Sequence, residues 1–188
     1  MTSRAPEISA ETVAEFAEVA ERFCSVIDKM EELSEIDFLR QIDILVPLAY
    51  AKALELPNLG FEDERQKSWH AKIDARDTGH HERWDEVHRR IRGKLGDHNW
   101  FRHAHDPFGP EDQEIHGVDL ADELAEVYVG LENGLHLHRQ DPHELITAVR
   151  AWKDGVETFW GDNAMDAIPA VSRLVHQHYD EDDEVFKI

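Results

Sequence analysis

Apolar residues recur at steps of three and four along most of the chain, which is the spacing of one face of an α-helix. The first apolar face follows Ser9 and consists of Val13, Phe16, Ala17, Ala20, Phe23, Cys24, Ile27 and Met30. A second helix is predicted after Ser34, whose hydroxyl suits an N-cap, with Asp37 three residues further on. Pro47 lies inside this helix and predicts a kink, because proline lacks the backbone donor.

The same spacing predicts further helices in the second half of the chain. A stripe from Trp84 to Leu95 stops at Gly96. The next apolar seam consists of Ala121, Leu124, Tyr128, Leu131 and Leu135. Asp141 followed by Pro142 predicts a helix start, and that helix is expected to bury Leu145, Val149, Trp152, Val156 and Phe159 up to the turn "WGDN". A last helix buries Ala167, Ile168, Val171, Leu174 and Val175.

No segment keeps the alternation of a β-strand, so the sequence predicts an all-α fold, a single-domain bundle of six or seven helices. We expect residues 1–179 to form this domain, with about eight flexible residues at the N-terminus and an acidic C-terminal tail over 180–188. A long irregular loop is predicted near 97–117, and loops of this length in compact domains are often functional.

Charge and cysteine content narrow the functional classes. The chain has 41 acidic and 20 basic residues and a net charge of −21, which disfavours binding to nucleic acid or to anionic membranes. No apolar run is long enough to span a membrane, and the N-terminus lacks the pattern of a signal peptide. Cys24 is the only cysteine, which excludes a disulfide framework and predicts a small core residue. We therefore expect a soluble, cytoplasmic protein.

The stretch "GVDLADELAEVYVGL", residues 117–131, holds four carboxylates: Asp119, Asp122, Glu123 and Glu126. At about 100° per residue they fall almost opposite the apolar seam of their helix. This predicts a solvated face rather than a metal site within the bundle. Asp119 and Asp122 also lie in the first turn, where negative charge is favourable.

A divalent-metal site remains a weaker hypothesis for the same helix. Its ligands would be Asp119, Asp122 and Glu126, completed by His103 or His105 from the long loop, since histidine and carboxylate are common ligands. The segment "EELSE", 31–35, resembles half of the acidic motif of all-α nucleoside triphosphate pyrophosphatases. The second half is missing, and Ser34 predicts a helix start inside it. The sequence offers no complete set of catalytic residues and no required cofactor.

Four segments carry a family resemblance: "FCSVIDKMEELSEIDFLRQIDILVPLAYAKALELP", "LGDHNWFRHAHDPF", "GVDLADELAEVYVGLENGL" and "AVRAWKDGVETFWGDNAMDAIPAVSRLVH". In this order and spacing they resemble the bacterial DUF5063 family, a domain of unknown function. The resemblance extends roughly from Phe23 to His176. It implies an all-helical fold and no assigned activity. Family members often have histidines beside the Trp-Gly pair, where this chain has Phe159 and Asn163.

The leading hypothesis is a non-enzymatic module that binds another protein or assembles with itself. The aromatic residues expected to contact the partner are Trp100, Phe101 and Phe108 in the long loop. An equal alternative for Trp100 and Phe101 is that they pin the loop to the bundle. The alternative function is a metal-dependent hydrolase of a phosphorylated small molecule that uses the carboxylates of residues 119–126.

Overall fold

In a computed structural model, the described part of the chain forms six α-helices and one short β-hairpin. The backbone is described for residues 9–59, 77–103, 116–140 and 145–184, and side chains for 9–59, 81–102, 117–139 and 145–177. The helices are α1 (Ala10–Asp28), α2 (Glu35–Glu55), α3 (Asp77–Leu95), α4 (Leu120–Gln140), α5 (Leu145–Thr158) and α6 (Trp160–Glu184). Two antiparallel strands, β1 (Trp100–His103) and β2 (His116–Asp119), connect α3 to α4. The all-α prediction is confirmed.

The first two helices begin where their caps predict. The Ser9 hydroxyl accepts a hydrogen bond from the Thr12 amide at 3.3 Å, and the Ser34 hydroxyl accepts one from the Asp37 amide at 3.1 Å. These side chains satisfy amides that have no partner within the helix. Because Ser34 caps α2, the "EELSE" segment is divided between a short 3₁₀ turn and a new helix. The helix continues through Pro47 to Glu55.

Helix α4 lies at the centre of the bundle and contacts α1, α3, α5 and α6. Helix α2 completes the bundle by packing on α1, α5 and α6. The predicted seam from Ala121 to Leu135 is buried, and so is Cys24. Burial, followed by nearby acidic charge, raises the pKa of the Cys24 thiol.

Two glycines of α4 allow two tryptophans to enter the core. A Cβ at Gly130 would lie 2.3 Å from Cδ1 of Trp160, and a Cβ at Gly134 would lie 1.9 Å from Nε1 of Trp152. The Trp152 indole donates a hydrogen bond to the Leu131 carbonyl at 3.0 Å. The central helix therefore carries two slots, one turn apart, that only the absence of a side chain keeps open.

The connection between α5 and α6 is shorter than predicted. "WGDN" is the first turn of α6, and Phe159 is the single residue between the helices. Phe159 is 63% exposed, contrary to its predicted burial. A Cβ at Gly161 would lie 1.9 Å from the Val156 carbonyl oxygen, so this reversal requires glycine. The reversal turns Phe159 outward because Trp160 takes the inward position.

The ends of two predicted segments also differ from expectation. Helix α6 continues to Glu184, so the backbone of 180–184 is helical in the segment assigned to an acidic tail. The loop near 97–117 begins with a 3₁₀ turn and includes β1 and β2, although no strand was predicted there. The predicted cap at Asp141 and Pro142, and the first eight residues, lie outside the described residues. None of the described helices has the length and apolar character needed to cross a membrane.

Candidate functional site

The two aromatic residues of the hairpin differ in exposure. Trp100 pairs with Asp119 and Phe101 with Val118. Phe101 is partly buried against the core, whereas Trp100 is 56% exposed. Phe101 thus holds the hairpin on the bundle, and Trp100 is available to solvent. Phe108 lies outside the described residues.

A groove of about 420 Å³ lies between this hairpin and α6. Its aromatic wall is formed by Trp100 and Phe101, and its aliphatic wall by Ala170 and Leu174 of α6. The other lining residues are Asp97, His98, Arg102, Pro169, Arg173 and Gln177. The groove therefore combines apolar walls with charged ends.

The groove carries positive charge in a strongly acidic protein. Arg102 and Arg173 are exposed, and in the described part of the chain neither has an ion-pair partner. The Arg92 guanidinium lies 5.8 Å from the centroid of the Trp100 ring, a cation–π distance. Asp97 offsets one of these charges. The groove therefore keeps a net positive charge, which favours an acidic ligand.

Asp119 fixes the base of the hairpin to the bundle. Its Oδ1 accepts hydrogen bonds from the Asn99 amide group at 2.7 Å and from the backbone amides of Ala121 and Asp122 at 3.0 and 3.3 Å. Its Oδ2 lies 3.3 Å from Nε2 of His88. Burial raises the pKa of Asp119, but the bonds from Asn99 and His88 outweigh it and hold the pKa below its usual value. Asp119 is therefore an ionised N-cap for α4.

The remaining acids of the stretch are not a solvated face, and that prediction is wrong. Glu123 is 7% exposed, and Asp122 and Glu126 are half-buried. Four helices pack around α4, so the face opposite its seam is covered as well. Burial raises the pKa of Glu123 to about 7, and the nearby carboxylate of Asp166 adds to the rise. The Asn163 amide donates a hydrogen bond to Glu123 Oε2 at 2.7 Å, and this bond lowers the pKa of Glu123 and so offsets part of the rise.

The candidate metal ligands are only partly brought together. Asp119 and Asp122 are close enough for the charge of Asp119 to raise the pKa of Asp122, after the larger effect of burial. Among the side chains that the structure describes, no three from histidine, cysteine, aspartate and glutamate are arranged to hold a metal ion. The side chains of His103 and His105 lie outside that set.

A second polar cluster joins α1, α3 and α4. The Tyr128 hydroxyl donates to Asp28 Oδ1 at 2.9 Å and accepts a hydrogen bond from Arg83. Arg83 also contacts Asp28 at 2.8 Å and Glu86 at 3.0 Å. The cluster satisfies the one polar atom of a tyrosine whose ring is buried. It is a structural contact between three helices.

Sequence reasoning missed several residues of these sites, among them His88 and Arg173. His88 belongs to the apolar stripe of α3, and its ring stacks on Trp84 at 4.9 Å between centroids while its nitrogen reaches Asp119. Arg173 lies on the exposed face of α6 and nothing nearby in sequence marks it. Arg173 becomes a site residue only because α6 packs beside the hairpin, and the spacing of residues along α6 does not predict that contact.

Comparisons with known proteins agree on the fold. The crystal structure of protein BF1032 from Bacteroides fragilis, a structural genomics target, superposes with a TM-score of 0.63 over 88% of this chain and 92% of that chain. The two chains are 15% identical, so this similarity concerns the fold alone. No curated protein matches the chain. The model of the family described as "Domain of unknown function (DUF5063)" matches residues 7–177, nearly the whole chain, and the protein therefore belongs to that family.

Proposed function

We propose that the protein is a protein-interaction module that binds an acidic segment of a protein in the groove between β1 and α6. The observation that carries the proposal is Trp100, which is 56% exposed beside Arg92, Arg102 and Arg173 in a chain of net charge −21. Exposed aromatic and arginine side chains are the residues that most often dominate binding energy at protein interfaces.

The shape of the groove supports a peptide or helix edge as the ligand. An open groove with one aromatic wall accepts an extended or helical segment along its length. The guanidiniums of Arg102 and Arg173 can bind carboxylates bidentately, which fixes the orientation of the segment. Phe101 holds the aromatic wall in place, so little ordering is required on binding.

The hydrolase alternative has less support from the geometry. Both oxygens of Asp119 already hold protein partners: Asn99 and two backbone amides on one, and His88 on the other. A metal would have to displace these contacts, which also cap α4. The interaction module is therefore the better-supported function.

The proposal is tested by fluorescence anisotropy of the full chain with a labelled peptide composed of aspartate, glutamate and leucine. A peptide with lysine in place of every acidic residue is the ligand control. Trp100→Ala and Arg173→Ala should each weaken binding about tenfold or more, as loss of an interface anchor does. Phe159→Ala is the matched protein control, because Phe159 is also an aromatic residue with more than half of its surface exposed but does not line the groove.

Melting temperatures distinguish binding from pinning of the loop. If Trp100 acts in binding, Trp100→Ala leaves the melting temperature close to that of the native chain. A clear fall in melting temperature with unchanged peptide affinity would assign Trp100 a structural role. Equal affinity for the acidic and the lysine peptide would refute the proposal.

A further inference from the structure

The groove wall and the most acidic run of the chain belong to the same helix. Pro169, Arg173 and Gln177 of α6 line the groove, and residues 180–184, "DEDDE", form the last turns of that helix. Because the helix continues to Glu184 without a break, its acidic end leads away from its own groove. It cannot fold back to neutralise Arg173 in the same copy.

The positions of charge along α6 are complementary when two such helices run antiparallel. Positions seven residues apart lie two turns apart on the same helical face. Positions 180 and 184 therefore lie on the same helical face as Arg173 and Gln177. A two-fold axis midway between His176 and Gln177 brings position 173 of one copy opposite position 180 of the other, and 169 opposite 184.

We propose that the acidic end of α6 from a second copy of this chain occupies the groove, and that two copies exchange these ends symmetrically. The proposal rests on the groove being a docking site and names its occupant. Each copy would contribute Trp100, Arg102 and Arg173 as the receiving surface and residues 180–184 as the inserted segment. Such an interface is closed by its two-fold symmetry and gives a dimer rather than a filament.

The local attraction must exceed the repulsion between two acidic proteins. At physiological ionic strength the Debye length is about 8 Å, so charges far from the contact are largely screened. Charges that meet at the contact are much less screened, and they set the pairing. The test therefore belongs at physiological ionic strength, with salt kept constant between variants.

The test is sedimentation velocity of the full chain over a range of concentrations. The native chain should form dimers, and Arg173→Glu should raise the dissociation constant about tenfold or more, because each dimer then contains two repulsive contacts. The double variant Asp180→Lys with Glu184→Lys should have the same effect. Arg22→Glu is the matched control, since it makes the same charge change on the exposed surface of α1, outside the groove.

Mixing the variants tests the reciprocal geometry. In the Arg173→Glu chain, positions 173 and 180, which face each other across the proposed two-fold axis, are both acidic, and in the lysine chain both are basic. Each alone should be monomeric, whereas an equimolar mixture should dimerise, because both contacts are then attractive. A native chain that stays monomeric, or a mixture that does not associate, overturns the inference.

The two proposals can fail separately. If the native chain is monomeric but binds the acidic peptide through Trp100 and Arg173, the groove serves another protein and the second-copy inference is wrong. If the chain dimerises and Arg173→Glu has no effect, the dimer uses another surface, and the inference is again wrong. If neither the peptide nor a second copy binds, the proposed function itself fails.

Discussion

Glu123 is a carboxylate inside the bundle, where a charge is unfavourable. It receives one hydrogen bond from Asn163 and lies near the acidic side chains of Asp122, Glu126 and Asp166. Its burial raises the pKa to about 7, so its protonation changes within the physiological range. A single side chain therefore links the stability of the contact between α4 and α6 to pH.

The sign of this link follows from proton binding. Between the unfolded pKa of 4.5 and the folded value of about 7, the native state holds more protons than the unfolded state. The contribution of the protonated Glu123 side chain to folding stability is complete below pH 4.5 and is lost as the pH rises to about 7. Glu123→Gln keeps an acceptor for Asn163 but removes the titration. It should raise the free energy of unfolding at pH 8 by roughly 2–3 kcal/mol.

Urea unfolding at pH 5 and pH 8 measures this effect. The difference between Glu123→Gln and the native chain should be small at pH 5 and large at pH 8. The same exchange at Glu18, which is exposed on α1, should change little at either pH. An equal shift at both pH values would mean that Glu123 acts through packing rather than through its charge.

Helix α4 is positioned by contacts that need particular small residues. Gly130 and Gly134 lie one turn apart and receive the rings of Trp160 and Trp152. A helix with these glycines is intrinsically weaker, because glycine disfavours helix by about 1 kcal/mol relative to alanine. The buried tryptophans offset that loss by filling the slots with large apolar surface.

The exchange of glycine for alanine should therefore have opposite effects on stability at two positions, Gly134 and Gly93. Gly134→Ala puts a Cβ 1.9 Å from Nε1 of Trp152 and should destabilise the fold by about 1–3 kcal/mol, or roughly 3–10 °C. Gly93→Ala in α3 meets nothing within 4 Å and should stabilise by about 0.5–1 kcal/mol. Differential scanning calorimetry of both variants measures the two changes in melting temperature. A stabilising Gly134→Ala would mean that the Trp152 ring is free to move aside.

The helices and their buried faces were predictable from sequence, because period and capping are local properties. Ser9, Ser34 and Gly96 mark the ends of helices where the structure has them. The environment of the acidic stretch was not predictable in this way. A helical wheel shows that Glu123 lies opposite the seam, but it does not show that a fourth neighbouring helix covers that side.

The candidate site was only half predictable for a related reason. Trp100 and Phe101 stand out locally as adjacent aromatic residues between polar ones. Their different burial depends on which face of β1 meets the bundle, and the partnership of Trp100 with Arg173 depends on tertiary packing. Long-range contacts of this kind leave no mark on the spacing of a single segment.

At the scale of the whole molecule, the dominant feature is excess negative charge. With 41 acidic and 20 basic residues, the folded chain repels itself, and this repulsion is weakened by salt. Several bases are already used to hold acidic helix ends together, as Arg90 holds Glu31 at 2.6 Å. Repulsion among the remaining acidic residues still exceeds these attractions, so added salt should stabilise the folded chain.

A thermal melt with two kinds of salt separates screening from specific binding. Sodium chloride should raise the melting temperature gradually and without saturation. After treatment with EDTA and at constant ionic strength, magnesium, manganese and zinc should add nothing further. A specific ion at a hundred times its dissociation constant would add about 2.7 kcal/mol, or roughly 5–10 °C. A saturable rise that disappears in Asp122→Asn would restore the metal hypothesis.

The buried position of Cys24 has a practical consequence for such experiments. A thiol reacts as its thiolate, and this one is both covered by the core and held protonated by its surroundings. A cysteine introduced on the exposed face of α6 or at the tip of the aromatic wall would therefore react with maleimide reagents ahead of the native one. Fluorophores or spin labels can be attached to the groove while the natural sequence of the core is kept, and distances between copies can be read directly.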